Sequence, residues 1–221
     1  MATENLAIFD IDGTLIRGQS QKSLLMFLYS GGYISHWYYF KIMIWFILYQ
    51  LHFIDSPKKV MEYAFSVFKN TREDRAKEII DEYFELHLKY KFYNDGLKLI
   101  EQLKGEGYRI ILISNAINLI VERIEKYLKA DDSIGTILEV VDGRLTGKID
   151  GSIVYGLEKK RVLEEYSRKN DIKLSNASAY GDHISDISML ELVGHPFVVN
   201  PSNRLSSIAI KKGWPILIFK N

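Results

Sequence analysis

Two carboxylates separated by a single residue follow an apolar stretch near the start of the chain. The segment LAIFDIDGTL covers residues 6–15 and carries Asp10 and Asp12 on either side of Ile11. Like charges this close repel each other, and burying an unpaired carboxylate costs free energy. We therefore expect a cationic partner beside them.

More polar side chains follow two of the other predicted strands. Ser114 and Asn115 come at the end of YRIILIS, and GDHISD supplies Asp182 and Asp186 after a short strand at 177–180. Because the carboxyl ends of parallel strands meet at one edge of a sheet, these side chains are expected to converge on Asp10 and its neighbour. Oxygen ligands favour Mg²⁺ over zinc, so the pattern predicts a magnesium site.

A lysine is the second candidate cation. In LEKKRVLEEY, Lys159 shares one helix face with Val162, Leu163 and Tyr166,. An inward-facing ammonium needs an anion, and Asp186 or a bound phosphate could supply it. The alternative is a lysine whose ammonium reaches solvent while its stem stays buried.

These residue types together suit phosphoryl transfer. Asp10, at the tip of its strand, can attack phosphorus and form an aspartyl-phosphate. Asp12 can protonate the departing oxygen and later activate water. Gly13 leaves backbone N–H groups free to approach phosphate oxygens.

The motifs DIDGTL, ISN, Lys159 and GDHISD, in that order, resemble the four motifs of the haloacid dehalogenase superfamily of phosphohydrolases. The resemblance implies that Asp10 is the nucleophile and Asp12 the general acid/base. It also implies that Mg²⁺ is held by the carboxylates of Asp10 and Asp182 and by the backbone carbonyl of Asp12. Ser114 and Lys159, with Asn115 and Gly13 beside them, would bind the phosphoryl group, and Asp186 would orient the lysine or metal-bound water.

The sequence departs from the phosphoserine phosphatases within that superfamily at two positions. Gln19 stands where those enzymes carry a glutamate that binds the substrate ammonium, and Gly13 stands where they usually have serine. A neutral amide cannot supply the glutamate's charge. A different substrate is therefore expected, such as a phosphomonoester with an apolar part, a lysophospholipid head group or an amino-alcohol phosphate.

Two further residues are candidate substrate contacts. Arg17 could bind a second anionic group, although an exposed loop arginine is the simpler interpretation,. His183 could touch substrate, although a solvent-facing loop histidine is more typical of such a position,.

The sequence predicts a first strand, then a helical block, and then alternating strands and helices. These elements must position the residues named above. Alternation predicts an α/β fold with a doubly wound, mostly parallel sheet, which the resemblance makes Rossmann-like. The helical block would be an all-helical cap at 17–90 over a core of 1–16 and 91–221, and it resembles the superfamily's type-one cap.

The cap is predicted to hold four helices, at about 20–30, at about 35–54, from Ser56-Pro57 onwards, and after Thr71 as N-cap,. After residue 90 the chain should alternate. The expected helices are at 95–104, 117–129, 157–169, 184–192 and 203–211, and the expected strands at 108–114, 177–180, 197–200 and 215–219, with a strand pair joined at Asp142-Gly143,.

The composition excludes several classes of protein. A net charge of +1 without a basic run gives no reason to expect nucleic acid,. The absence of cysteine excludes disulfides, a thiolate nucleophile and a cysteine zinc site,. No signal peptide is visible, so a cytoplasmic protein acting on a small phosphomonoester is expected.

Residues 37–54, WYYFKIMIWFILYQLHFI, are apolar nearly all round. A membrane span needs about 20 apolar residues, so a buried or cap helix is the favoured interpretation. An interfacial helix in peripheral contact with a membrane, a true span and a homodimer face are the alternatives.

Three other functions compete with a phosphatase. A carbon–halogen dehalogenase would not need an acid at Asp12. A receiver-like phospho-acceptor would not place its acceptor in D-x-D-G-T on the first strand. A membrane-binding module would make 35–54 the working part of the chain.

Overall fold

The structure is a computed structural model that describes residues 5–50 and 56–220. Six parallel strands form one sheet in the order β3-β2-β1-β6-β7-β8, and two antiparallel strands form a separate hairpin. The strands are β1 (Leu6–Phe9), β2 (Arg109–Ile117), β3 (Asp132–Thr136), β4 (Leu138–Val141), β5 (Arg144–Ile149), β6 (Ser178–Gly181), β7 (His195–Val199) and β8 (Ile216–Leu217).

The helices account for most of the remaining described chain. Short 3₁₀ turns occur at Ser66–Phe68, Leu88–Lys91, Leu174–Asn176 and Ile184–Asp186. The α-helices are α1 (Ser20–Ser30), α2 (His36–Gln50), α3 (Pro57–Phe65), α4 (Glu73–Leu86), α5 (Asn94–Gly105), α6 (Asn118–Leu128), α7 (Leu157–Asn170), α8 (Ile187–Leu190) and α9 (Asn203–Lys212).

Strand β1 lies at the centre of the sheet, and its alternating side chains divide the core. It pairs with β2 on one side and with β6 on the other. Ala7 and Phe9 belong to one buried cluster, and Leu6 and Ile8 belong to a second cluster on the opposite face. Both faces are covered by helices, which confirms the predicted doubly wound α/β fold.

The edge strand β3 was not predicted. Its sequence, DSIGT, lacks the apolar run that marks a buried strand,. A side chain at Gly135 would meet Val121 at 2.9 Å and the Ala116 carbonyl at 3.0 Å. Close packing against α6 therefore holds strand β3 in place, and the local sequence does not reveal this tertiary contact.

Helices α1–α4 lie between β1 and α5, as the predicted insertion required. Their buried side chains, which include Leu24, Phe65 and Phe84, join the same cluster as Phe9 of the sheet. Ser56 caps α3, where its hydroxyl accepts from the N–H of Lys59 at 3.4 Å. The division into a core of 1–16 and 91–221 and a cap of 17–90 stays a prediction.

The predicted N-cap of α4 at Thr71 is wrong. Arg72 occupies the cap position, and its side chain makes no capping hydrogen bond. The N–H of Glu73 instead donates to the carbonyl of Gly143 at 3.0 Å, in the turn of the β4–β5 hairpin. A carbonyl of the hairpin therefore accepts a hydrogen bond from the N-terminal end of α4, where a cap by Thr71 was expected.

The β4–β5 hairpin docks on the helical insertion rather than on the main sheet. The N–H of Asn70 donates to the Leu145 carbonyl at 2.8 Å, and the N–H of Leu145 donates to the Thr71 carbonyl at 2.9 Å. Gly147 has φ +81°, and a Cβ there would lie 2.9 Å from Cα of Ser66. Backbone hydrogen bonds therefore tie Asn70 and Thr71 of the insertion to Leu145, which is 75 and 74 residues later in the chain.

Helix α2 is described from His36 to Gln50, and residues 51–54 of its predicted range lie outside the described residues. One side packs on the neighbouring helices, with Ile42 buried and Trp45 stacked on Tyr63 at 4.9 Å. Trp37 and Phe40, on another side, are exposed. Within the described residues, no helix combines the length and apolar character that a transmembrane segment requires.

Candidate active site

Three carboxylates converge at the carboxyl edge of the sheet. Asp10 follows β1 directly, and its N–H continues the pairing of β1 with β6 by donating to the Tyr180 carbonyl at 3.0 Å. Asp182 and Asp186 follow β6. One oxygen from each of the three carboxylates can be chosen so that all lie within 4.8 Å of one another. Asp10 after β1 and the two aspartates after β6 lie on both sides of the boundary between these strands, where the strand order reverses. Ligands bind at this position in open α/β sheets.

Lys159 lies in the first turn of α7 and points into this cluster. Its Nζ is 2.5 Å from Oδ1 of Asp10 and 2.6 Å from Oδ1 of Asp186, and the side chain is only 2% exposed. Of the two orientations that the sequence left open, the inward one is observed, with Asp186 as one partner. A buried ammonium in two charge-assisted hydrogen bonds holds both carboxylates in place.

The second oxygen of Asp186 organises the loop after β6. It accepts from the N–H groups of Asp182 at 3.2 Å and His183 at 2.9 Å. A side chain at Gly181 would come within 2.7 Å of Cβ of Asp186, so the strand must end in glycine for this loop to close. The result is a fixed position for Asp182 beside Asp10.

Asp12 faces the start of the first helix of the insertion. Its Oδ1 accepts from the N–H of Ser20 at 2.8 Å, and its Oδ2 accepts from the Ser20 hydroxyl at 3.0 Å. The positive end of the α1 dipole favours a carboxylate at this place. The carbonyl of the buried Ser20 in turn accepts from the hydroxyl of Tyr83 in α4 at 2.8 Å.

Gly13 and Thr14 bring the first motif against Asp182. The φ of Gly13 is +97°, and a Cβ there would lie 2.1 Å from Oδ2 of Asp182. The hydroxyl of Thr14 donates to Oδ1 of Asp182 at 3.3 Å. This close approach requires glycine at position 13 in the observed arrangement.

The acid-rich cluster perturbs the acidity of its own members. Burial raises the pKa of Asp10 well above its usual range, and Lys159 opposes that rise. Burial, followed by the charge of Asp186, raises the pKa of Asp182 to about 7. Burial also raises the pKa of Asp12, and the hydrogen bonds from Ser20 offset part of the rise. Three carboxylates share one ammonium, so the site is short of positive charge.

The donor set fits a hard divalent cation. The converging ligands are carboxylate oxygens, which Mg²⁺ prefers, and a second positive charge would relieve the repulsion that Lys159 only partly offsets,. The converging set is Asp10, Asp182 and Asp186, whereas the predicted ligand set was Asp10, Asp12 and Asp182. The carboxylate of Asp12 is bonded to Ser20, and the implied role of its backbone carbonyl stays a prediction.

The residues expected at the phosphoryl group lie at the end of β2. Ser114 is buried, and its hydroxyl accepts from the N–H of Ala116 at 3.2 Å. The carbonyl of Asn115 accepts from the Thr136 hydroxyl at 2.9 Å and from Nε2 of Gln21 at 3.5 Å. Strand β2 is the neighbour of β1, so both residues stand at the same sheet edge as Asp10.

The three candidate substrate contacts lie outside the buried cluster. Arg17 is exposed, and its guanidinium donates to the Tyr90 carbonyl at 3.2 Å. Gln19 is exposed and precedes α1 without a side-chain capping bond. His183 is exposed, with Nδ1 3.0 Å from the Ser185 hydroxyl. Their roles toward substrate stay predictions.

Sequence reasoning missed Ser20, Tyr83 and Gln21. Serine at the first position of a helix is ordinary, and nothing in the sequence pairs it with Asp12. Gln21 is half-buried, and among the described residues its Oε1 has no hydrogen-bond partner. An unpaired buried amide oxygen next to Asn115 and Ser20 is visible only in three dimensions.

The fold and this site together define a hydrolase class. Residues 7–191 match the family of haloacid dehalogenase-like hydrolases. The chain therefore belongs to that family, and within it the chain is phosphoserine phosphatase-like, as the sequence predicted. An enzyme of the phosphatase type is thereby confirmed over the non-enzymatic alternatives.

Several curated relatives resemble the chain. It is 29% identical over 220 residues to the "Inhibition of morphological differentiation protein" of Streptomyces azureus, covering 96% of this chain and 78% of that protein. It is 26% identical to phosphoserine phosphatase SerB1 of Mycobacterium tuberculosis, covering 97% of this chain and 70% of that protein. A phosphoserine phosphatase of Archaeoglobus fulgidus is 30% identical over 146 residues, which are 64% of this chain and 42% of that protein.

Solved structures share the fold. A Bordetella pertussis protein of unknown function superposes with a TM-score of 0.89 at 20% identity, covering 98% of this chain and 99% of that one. A phospho-aspartyl intermediate analogue of phosphoserine phosphatase superposes with a TM-score of 0.67 at 21% identity, covering 98% of this chain and 93% of that one.

Proposed function

We propose that the protein hydrolyses phosphomonoesters in a Mg²⁺-dependent reaction through an aspartyl-phosphate on Asp10. The observation that carries the proposal is the convergence of three carboxylates and one buried lysine at the end of the central strand. A carbon–halogen dehalogenase would leave Asp12 without a task, since it needs no acid at that position.

In the first step the Asp10 carboxylate attacks phosphorus, and the bond between phosphorus and the alcohol oxygen breaks. Asp12 gives its proton to that departing oxygen. The raised pKa of Asp12 suits this task, because a proton must be present when the alcohol leaves. Ser20 holds both oxygens of Asp12 and so orients the carboxyl group.

In the second step Asp12, now ionised, takes a proton from water. That water attacks the phosphorus of the aspartyl-phosphate, inorganic phosphate departs, and the Asp10 carboxylate is regenerated. Asp12 is protonated again at the end of the cycle, so atoms and charges balance over the two steps.

Mg²⁺ would be held by the carboxylates of Asp10 and Asp182 and the carbonyl of Asp12, and it would neutralise charge on the phosphoryl oxygens. Lys159 adds a positive charge beside the attacking oxygen, with Asp186 keeping it in position. The Ser114 hydroxyl, the Asn115 backbone and the N–H groups around Gly13 would complete the phosphoryl site.

The substrate we propose is a small phosphorylated metabolite other than phosphoserine. Gln19 is neutral, whereas a substrate ammonium at that position would need an anionic partner. The helical insertion at 17–90 acts as a cap of apolar and aromatic character. Arg17 and His183 would contact the part of the substrate beyond the phosphate. The alternative is a membrane-associated phosphatase that acts on a lysophospholipid, and the location we propose is the cytoplasm, at the membrane periphery in that second case.

A phosphate-release screen tests the proposal. Wild-type protein with Mg²⁺ should release phosphate from p-nitrophenyl phosphate and from at least one member of a panel containing phosphoserine, lysophosphatidate and amino-alcohol phosphates. Asp10→Asn should abolish turnover and keep the fold, whereas Asp142→Asn, an exposed turn substitution, should be neutral. Undiminished hydrolysis by Asp10→Asn would refute the assignment.

A further inference from the structure

Helix α2 presents an apolar face that the described protein leaves uncovered. Trp37, Phe40, Ile44 and Ile47 are 64%, 53%, 38% and 50% exposed. Their spacing of three and four residues places them on one side of the helix. Trp37 and Phe40 stack on each other with ring centroids 5.9 Å apart, so they form a continuous surface.

The exposed face of α2 is unusual because it is apolar, although the inward side of the helix already supplies the apolar contacts with the protein. Ile42 is buried and Trp45 packs on Tyr63, which accounts for the inward side. Soluble surface helices place charged and polar residues on the side that faces water. Here the outward side carries large aromatic and aliphatic groups instead, which favours contact with another apolar phase.

The charge of the residues around this face favours an anionic partner. Residues 13–54 contain no aspartate or glutamate, and the one lysine or arginine within the described helix α2 is Lys41. Lys41 lies on the exposed face, with Nζ 5.3 Å from the centre of the Trp37 ring. A lysine stem can lie along apolar groups while its ammonium reaches lipid phosphates, and tryptophan favours the same interfacial depth.

We propose that this face of α2 docks on the surface of an anionic phospholipid bilayer. The helix would lie in the interface plane, with Trp37 and Phe40 inserted among the head groups and Lys41 paired with a lipid phosphate. The proposal concerns where the protein works and does not depend on its substrate.

The size of the face argues against a second copy as the occupant. A large side chain presents about 200 Å² when fully exposed, so four that are about half exposed offer roughly 400 Å². A stable protein interface buries about 800 Å² on each partner. A bilayer has no such requirement, because its affinity adds apolar insertion to attraction between charges.

Vesicle co-sedimentation tests the proposal with the full chain. Vesicles of phosphatidylcholine with phosphatidylglycerol should bind the protein, and vesicles of phosphatidylcholine alone should bind it at least about tenfold more weakly. Lys41→Gln should weaken binding to the anionic vesicles about fivefold. The double substitution Trp37→Ser, Phe40→Ser should weaken it more than about tenfold.

Ile210→Ser, at an exposed apolar position on α9, is the matched control and should bind like wild type. Each variant should keep wild-type hydrolysis of a soluble phosphomonoester and its circular dichroism spectrum, which separates docking from catalysis and folding. Failure to bind either vesicle would overturn the proposal. Equal binding to both vesicles would also overturn it, as would a dimer in light scattering that Trp37→Ser, Phe40→Ser converts to a monomer.

Discussion

The ammonium of Lys159 lies 2.5 Å from Oδ1 of Asp10, although 149 positions separate the two residues in sequence. The contact joins the first turn of α7 to the end of the central strand. It places a buried positive charge against the carboxylate that we propose as nucleophile. Both side chains depend on each other, because neither has access to bulk water to stabilise its charge.

Removing that ammonium should destabilise the protein before any substrate binds. Lys159→Met removes the positive charge between the carboxylates of Asp10 and Asp186, and loss of one partner from a buried ion pair costs about 3–5 kcal/mol,. Urea unfolding without Mg²⁺ measures the change. Lys160→Met, at the half-exposed neighbouring position, is the control and should change stability by less than about 0.5 kcal/mol,. Equal stability of the two variants would contradict the account.

Substitution of the proposed acid should be sensitive to the leaving group. Asp12→Asn cannot donate a proton, so hydrolysis of alkyl phosphates should fall by about 10²–10⁴-fold. p-Nitrophenyl phosphate should be affected less in its first step, because its leaving group needs little protonation. Steady-state kcat across phosphate esters of graded leaving-group pKa measures this. A variant that matches wild type on the poorest leaving groups would show the acid/base role to be wrong.

Ser20 should matter for the orientation of Asp12. Ser20→Ala removes the hydroxyl bond to Oδ2 and keeps the backbone bond to Oδ1. A hydrogen bond to a charged group contributes about 1.5–3 kcal/mol, so kcat on poor leaving groups should fall at least about tenfold.

Ser20→Thr should restore most of that activity, because it keeps the hydroxyl. Ser30→Ala, at the far end of the same helix, is the control and should be neutral toward the reaction. A loss that is equal for good and poor leaving groups would indicate a structural role only.

Gly13 should be required for metal binding as well as for backbone conformation. Gly13→Ala combines φ +97° with a Cβ 2.1 Å from Asp182, whereas Gly18→Ala has φ +79° and open space around its Cβ. Both variants should lose about 1 kcal/mol or more of stability from backbone strain. Only Gly13→Ala should raise the Mg²⁺ concentration needed for half-maximal activity. An identical Mg²⁺ response in both variants would contradict the close approach of Gly13 to Asp182.

The sheet edge was predictable because its signals are local. One apolar strand is followed by Asp10 and another by Asp182. If the two strands pair in parallel, both residues must lie in loops at the same edge of the sheet. Helical spacing placed Lys159 on the buried face of its helix, but it left open whether the ammonium turns inward or reaches solvent. These inferences need only the periodicity of 3.6 or 2 residues and the rule that parallel strands end together.

The contacts between the helical insertion and the core were not predictable in this way. Ser20 bonds Asp12, Tyr83 bonds Ser20, and Gly143 caps α4, yet each pair is brought together by packing rather than by spacing. The edge strand at Asp132–Thr136 also depends on its neighbours for pairing. Local propensity carries no information on such partners.

The most direct test of the account is to trap the phosphorylated enzyme. Asp12→Asn protein mixed with p-nitrophenyl phosphate and Mg²⁺, then quenched and reduced with borohydride, should carry homoserine in place of aspartate. Peptide mass spectrometry should find that change at position 10. Homoserine at another aspartate, or an unmodified Asp10 in a variant that still releases p-nitrophenol, would contradict the account.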